Sequence, residues 1–453
     1  PVFRSREDAA LTAKLYSRAP VLIEERPDHP EGDKNPWKIS FQRMFDMSND
    51  SDFFEGPETL ERKGFARSGA LWEHPDGRRY SPLYEAKMIH HYDHRWATYE
   101  GEDEEQGARD ITLEEKRNPN FEPTPRYWLP EDEVDMRASR VPARLKSAFK
   151  KDDTEGCLKI LAEWVLGSVE GLTPQNPISS LGEIERHLSN TLGPRSTSSS
   201  VVGKSRQNWL SSAAPRGIDM QRYTPLSPED LLFIQDYGEH WLELSGDLIE
   251  RKKPRWLMGW RDITNSTNER TVISTVFPKY AVGHTMPLYF SSQSPNEQAL
   301  LLAQWPTLVL DYIARQKVGG THLTYTYLNQ LPFLPPEHFN ADETNYVISR
   351  ILELTYTSNA MRPWAEDLGH TGAPFAFEPN RRAQLRAELD AFFAIKYGLT
   401  RDELRYVLDP HDVKGEDYPS ETFRGLKNKE MNQFGEFRTQ QLVLEAFDRM
   451  TGH

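Results

Sequence analysis

The sequence predicts an α+β fold: a β-rich region carrying a helical insertion at about 141–250, followed by an all-helical C-terminal domain. Three observations predict it. Strand-like stretches between Gly and Pro punctuation lie at 69–100 and from Trp256 to Phe290. Helical spacing interrupts them in "RLKSAFKKDDTEGCLKILAEWVLGSV", and from about residue 341 apolar residues recur at three- and four-residue steps. With 453 residues and 11 Trp, the chain can bury a sizeable core and is long enough for more than one domain.

Residues 1–65 mix short helical and extended patterns without a repeat, and are expected to be a linker and packing segment. In "GALWEHPDGRRYSPLYEAKMIHHYDHRWATYE" the positions of Leu71, Tyr80, Leu83 and Ile89 predict a hairpin. The acidic "EGEDEEQGARDITLEEKR" and the Pro-broken "NPNFEPTPRYWLP" are expected to be loops. Within the helical insertion, the Ser-rich "GPRSTSSSVVGKS" predicts a mobile break.

After the second strand-rich stretch, Ser294, Pro295 and Glu297 form a helix start with a capping box. Pro306 must bend or divide that helix. Arg315 and Lys317 suit its C-terminus, and Gly319-Gly320 are expected to end it in the left-handed conformation. "THLTYTYLNQLPFLPP" alternates Leu323, Tyr325 and Tyr327 against Thr324, Thr326 and Leu328, a strand pattern. In the helical tail, Thr400 and Glu403 form a further capping box.

Several function classes drop out. No apolar run approaches the roughly 20 residues of a membrane-crossing helix, and the first residues lack an export pattern, so a cytoplasmic protein is expected. Cys157 is the only cysteine, which excludes an internal disulfide framework and a thiolate zinc cluster. No Gly-x-Gly, P-loop or serine-nucleophile motif occurs, and the Pro-Pro pair at Pro335 lies between Leu334 and Glu337. The first residue is Pro, so the chain is expected to be processed or to be a piece of a longer polypeptide.

The net charge of −14 hides a local reversal: residues 251–330 carry nine Lys/Arg against four Asp/Glu, the rest 46 against 65. A solvated face is the ordinary fate of such a charge run; a docking surface for a polyanion is the functional alternative. Two constellations near residue 85 bear on catalysis. Asp76, Glu85 and Lys87 follow the carboxylate-carboxylate-lysine order of Mg²⁺-dependent nucleases, in which the carboxylates hold the metal and the lysine helps activate water. The signal is weak, because such three-residue patterns arise readily in a chain with 27% charged residues, and an ordinary charged hairpin is the plainer account. His90, His91, Asp93 and His94 are metal-ligand types, but adjacent residues on a strand point to opposite faces.

The blocks "PLYEAKMIHHYDHRWATY", "RDITNSTNERTVISTVFP", "DYIARQKVGGTHLTYTYLNQLPFLPP", "RRAQLRAELDAFFAIKYGLTRDELRYVLDP" and "ETFRGLKNKEMNQFGEFRTQQLVLEAFDR" resemble the post-catalytic half of type IIG-like adenine-N6 DNA methyltransferases, including those of the DISARM and BREX phage-defence systems. The resemblance implies a target recognition domain at 66–335, a helical C-terminal domain at 336–453, and a segment at 1–65 that packs on a catalytic domain outside this sequence. It implies double-stranded DNA, that catalytic domain and other defence-system subunits as partners, and no membrane. The S-adenosylmethionine and Asn-Pro-Pro-aromatic motifs belong to the catalytic domain, so this chain binds no cofactor itself and alone does not methylate.

A target recognition domain neutralises phosphates to dock and offers hydrogen-bonding side chains to base edges. On that reading Arg261, Arg270 and Lys279 are candidates for phosphate or guanine contacts, with Asn265, Ser266, Thr267, Asn268 and Thr271 as short donors and acceptors. Arg315, Lys317, Gly319, Gly320, Thr321 and His322 form a second rim, and Lys87, His90, His94 and Arg95 a third. The competing reading makes these residues local ion pairs that hold the fold. At the level of function the alternatives are a Mg²⁺-dependent nuclease and an interaction scaffold that binds no DNA.

Overall fold

Trp260 anchors the architecture: its ring lies edge-on to Phe41 at 5.5 Å and stacks with Trp305 at 5.7 Å, while its Nε1 donates to the Leu323 carbonyl at 2.9 Å. An aromatic core of this kind joins chain segments far apart in sequence, and the strands are built around it. The computed structural model describes residues 3–101, 107–168 and 226–452, apart from positions 28, 30, 31, 228, 231, 232, 235, 236, 238, 239 and 420. The Ser-rich stretch 193–205 and residues 102–106 of the acidic stretch lie outside the described residues.

Helices and strands are both present, the strands mostly in the first two thirds and a helical region after them: an α+β fold. One sheet runs Ile39–Gln42, Leu288–Ser291, Trp256–Trp260, Ser274–Pro278, all antiparallel. Gly259 is required there, because a Cβ would stand 2.8 Å from the Pro287 carbonyl oxygen. The second sheet holds the expected hairpin, Leu71–Glu73 against Arg79–Tyr84, with Ala66–Ser68 outside it and Ala281–Val282 parallel to the long strand.

Two compact units divide the chain: Pro1–Glu131 with Arg255–His453, and Asp132–Pro254. In the first, Leu11, Leu15, Leu22, Trp37 and Ile39 share one core with Met258, Val276, Tyr289, Ile351 and Leu389. Residues 11–39 and the helical tail therefore bury apolar faces on the same core as the strands, while Leu60 and Phe65 pack with Trp72 and Trp128 in a separate cluster. The second unit packs the Ala143–Lys150, Thr154–Gly167 and Trp241–Arg251 helices around Leu145, Cys157, Leu161, Trp164, Leu244 and Leu248. Among the described residues, no helix is long and apolar enough to cross a membrane.

Local signals succeed where the chain settles them itself. The Pro295–Gln304 helix begins with a reciprocal Ser294/Glu297 box, and a new helix, Leu308–Lys317, begins after Pro306 with Thr307 as its cap. Four expectations are corrected. Tyr325–Asn329 is a short helix, not a strand; Tyr325 stacks on Phe41 at 5.1 Å, and this tertiary contact overrides the alternation. Gly319 and Gly320 are not left-handed, because Val318 ends the helix in an extended conformation. Leu113–Arg117 in the acidic stretch is helical, started by a Thr112/Glu115 box. Trp128–Pro130 is a strand paired with Arg79–Tyr84, where the Trp128 indole donates to the Ala70 carbonyl at 2.9 Å.

Candidate nucleic-acid interface

The loop between Arg261 and Thr271 is closed by its own side chains. Asn265 Oδ1 accepts from the Thr267 and Asn268 amides at 2.8 and 3.0 Å and from the Thr267 hydroxyl at 2.6 Å, an Asx turn that nearly saturates it. The Thr264 hydroxyl donates to the Thr271 carbonyl and the Thr271 hydroxyl to the Asn265 carbonyl. Beneath the loop lies Asp311, fully buried, which accepts from Arg270 at 3.0 Å, Arg315 at 2.7 Å and the Thr271 amide at 3.0 Å. Arg315 also donates to the carbonyls of Ser266, Asn268, Glu269 and Thr422 and lies 4.7 Å from the Phe423 ring centre.

Many cations expected to face DNA thus face the protein. The side chains of Arg270 and Arg315 are only 11% and 6% exposed, and both are consumed by Asp311 and backbone carbonyls. Arg261 donates to the Ile89 and Lys87 carbonyls. Arg95 is fully buried and donates to four carbonyls, and Thr271 is fully buried beneath its own loop, so neither presents a surface to a ligand. Lys279 lies 3.9 Å from Glu131. These residues are withdrawn as contacts; they build the scaffold. For the four arginines the physical reason is common: a guanidinium has five donors in a planar fork, and the irregular segments here supply carbonyls for it to bind.

The histidines are corrected as well. His90 to Asp93 is not a strand but a tight turn, closed by His90 N–H to Asp93 O at 2.8 Å and by Asp93 N–H to His90 O at 3.1 Å. Tyr92 takes φ 54°, held there by its buried hydroxyl donating to the Ala303 carbonyl at 3.0 Å. His94 Nε2 pairs with Ser358 Oγ, and burial lowers its pKa to about 3; burial also holds His90 and His91 far below the ordinary histidine value. None of the three offers positive charge to a phosphate at neutral pH. Among the described residues, no group of three or more His, Cys, Asp or Glu is placed to hold a metal ion. Asp76 sits at the hairpin tip, bonded to the Arg78 amide and guanidinium.

What remains outward is contiguous. Arg261 ties the Lys87–Ile89 segment to the 261–264 strand end. That end bridges 321–323: Thr264 N–H donates to the Thr321 carbonyl at 2.9 Å and Leu323 N–H to the Asp262 carbonyl at 2.8 Å. The three rims read from the sequence therefore meet on one ledge, with Lys87, Thr267, Asn268, Gly319, Gly320, Thr321 and His322 exposed. Lys317 is half-buried and donates to Gln330 at 3.1 Å. The Asn268 carboxamide has no hydrogen bond to any described residue. Sequence reasoning missed two members. The first is Arg43, which reaches Asp262 at 3.1 Å, the carboxylate that the expected His322 also approaches at 3.3 Å; the second is Ile263. Ile263, 55% exposed, stands at the middle of the ledge; a large apolar residue among polar neighbours was a signal available in "RDITNS".

Beside the His90–Asp93 turn opens a cleft of about 350 Å³, walled by the Pro379–Lys396, Arg424–Phe434 and Arg438–Thr451 helices. Asp390 lines it, and burial, opposed by Arg270, raises its pKa to about 6. An acid raised above its unfolded value of about 3.9 binds more protons folded than unfolded, so its effect on stability worsens as pH rises from about 4 to 6. Asp390→Asn, which keeps an acceptor for the Leu308 amide, is expected to flatten that part of the stability profile and to stabilise the protein at pH 7. Urea denaturation from pH 4 to 8 checks it; a wild-type-like slope in the variant refutes the assignment.

No protein-family model matches the chain, and no curated protein matches it in sequence.

Proposed function

We propose that this chain is the DNA-gripping, sequence-reading portion of an adenine-N6 DNA methyltransferase in a restriction-modification or phage-defence system, acting in the cytoplasm. Methyl transfer from S-adenosylmethionine belongs to a separate catalytic domain, to which this chain delivers the duplex. The observation that supports the reading is the joining of three polar segments, 87–89, 261–268 and 319–322, into one ledge with Lys87, Thr267, Asn268, Thr321 and His322 exposed along its outer edge. Lys87 supplies a phosphate contact, Thr267, Asn268 and Thr321 supply short groups for base edges, and the open space around Gly319 and Gly320 lets backbone approach the duplex. Ile263 suits a wedge between base steps, as apolar side chains do in bent complexes.

A duplex titration by fluorescence anisotropy over a range of salt tests this. Binding should weaken steeply with salt, and Lys87→Ala should reduce the slope of log affinity against log salt by about one. Asn268→Ala should leave the slope alone and reduce discrimination between cognate and altered sites by about 1–3 kcal/mol. Absence of duplex binding, or binding indifferent to salt, would instead favour a protein-interaction scaffold.

A further inference from the structure

The cleft beside the His90–Asp93 turn is unaccounted for by the ledge. Its carboxylates are already engaged: Asp93 with Lys116 at 2.6 Å, Glu269 with Lys429 at 2.7 Å, Glu430 with the Thr439 amide and hydroxyl at 2.7 and 2.6 Å, and Asp390 with the Leu308 amide at 2.7 Å. Its cations are in surplus. Arg382 donates only to the Leu354 and Tyr92 carbonyls, Arg438 only to Asn380, and Arg386 has neither a hydrogen bond nor an ion pair with any described residue. A second observation is independent of charge. His91 lines the cleft, is 3% exposed, and neither ring nitrogen has a partner among the described residues. A buried imidazole left unsatisfied on both nitrogens costs stability unless something polar enters beside it. Finally, Phe434 lies in the cleft wall with its side chain 44% exposed and the Arg438 guanidinium 5.0 Å from its ring centre, a face on which a flat base can stack.

We propose that this cleft binds one nucleotide: its phosphate against the Arg386 charge and accepting a hydrogen bond from a His91 ring N–H, its base on the Phe434 and Arg438 platform. The volume lies at the small end of ligand pockets, which run from about 300 to 1,000 Å³, and fits a mononucleotide rather than a duplex. The same chemistry is presented by a free nucleotide and by the end of a single strand. The site is distinct from the ledge and does not depend on duplex reading there.

Isothermal titration of the full chain with AMP, with inorganic phosphate and with a short 5′-phosphorylated single-stranded oligonucleotide tests it. AMP is expected to bind, and Arg386→Ala to weaken it by about tenfold or more, the loss of a charge-assisted contact. Arg386 has no hydrogen bond or ion pair with any described residue, so that variant, with its folding checked by thermal unfolding, reports on binding. Phe434→Ala should weaken AMP several-fold while leaving inorganic phosphate unchanged, and Lys87→Ala should alter neither. Displacement of AMP by the oligonucleotide assigns the site to a strand end; binding of AMP without displacement assigns it to the free nucleotide. No binding of AMP at millimolar concentration, or equal affinity in Arg386→Ala, overturns the proposal; AMP binding no tighter than phosphate overturns the base platform. Because duplex titration reads the ledge, its failure leaves this result standing, and the reverse holds.

Discussion

Asp311→Ala is expected to lower the unfolding free energy by about 3–5 kcal/mol, the range found when one member of a buried charged network is removed. The carboxylate is fully buried and receives Arg270, Arg315 and the amides of Thr271 and Val272. Truncation leaves two guanidiniums and two N–H groups without their acceptor, in a place that water reaches poorly. Burial alone would raise the Asp311 pKa, but Arg315 and Arg270 outweigh it and hold it below the ordinary value. A depressed carboxylate contributes stability above its unfolded pKa of about 3.9 and loses it as pH falls through the lower folded value. The loss in Asp311→Ala should therefore be full at pH 7 and shrink below about pH 4. Urea denaturation at both pH values measures it. Since Arg315 fixes the carbonyls of Ser266, Asn268 and Glu269, duplex affinity should fall with stability in this variant, whereas Asn268→Ala should change affinity alone. A loss below about 1 kcal/mol would mean that solvent or relaxation compensates the arginines, and the loop would then not be held from beneath.

The same network explains which parts of the molecule were legible in the sequence. Caps were, because a capping box needs only two residues three apart: Ser294 with Glu297 and Thr400 with Glu403 both form as read. So was the division of a helix at Pro306, which follows from a missing N–H. Partners of the arginines were not. Arg270 meets Asp311 41 residues on, Arg315 meets Thr422 107 residues on, and Arg95 meets Thr357 262 residues on. A charge run shows that cations exist, not which way they point. Tyr325 illustrates the converse: its alternation is a true apolar pattern, but the face it fills is supplied by Phe41 and Trp260, and a short helix presents it there.

The cleft was partly legible. Arg382, Arg386 and Asp390 recur at four-residue steps in "RRAQLRAELD", a charged stripe on one face of a helix otherwise packed in the core. Sequence reading assigned the neighbouring Leu and Phe residues to a core or an interface, and Leu385, Leu389 and Phe393 are indeed in the core. The charged stripe became meaningful only when the His90–Asp93 turn, nearly 300 residues earlier, was found facing it.

Arg95→Met is expected to cost about 3–5 kcal/mol as well, and this separates scaffold from contact most sharply, because Arg95 was a candidate for DNA. Its guanidinium donates to the carbonyls of Lys116 and Asn118 at 2.7 Å, Thr357 at 2.9 Å and Phe121 at 3.3 Å. These carbonyls belong to the last turn of the Leu113–Arg117 helix, to the turn that follows it and to the segment after the Ala341–Thr355 helix, so one side chain ties together groups that share no ladder. Methionine fills similar volume but takes the guanidinium from the Lys116, Phe121 and Thr357 carbonyls, each of which then carries a desolvation penalty, while the Asn118 carbonyl keeps the Phe121 amide at 3.1 Å. Lysine restores charge without the planar fork and should recover only part of the loss. Hydrogen exchange should show the 116–121 turn opening in Arg95→Met before the rest of its unit, and thermal unfolding should shift down. Lys87→Ala, eight residues away in sequence but exposed, should leave both readouts unchanged and weaken duplex binding instead. If Arg95→Met folds as stably as wild type yet loses duplex affinity, the guanidinium must turn outward to meet DNA, and the division drawn between ledge and scaffold fails at its most buried member.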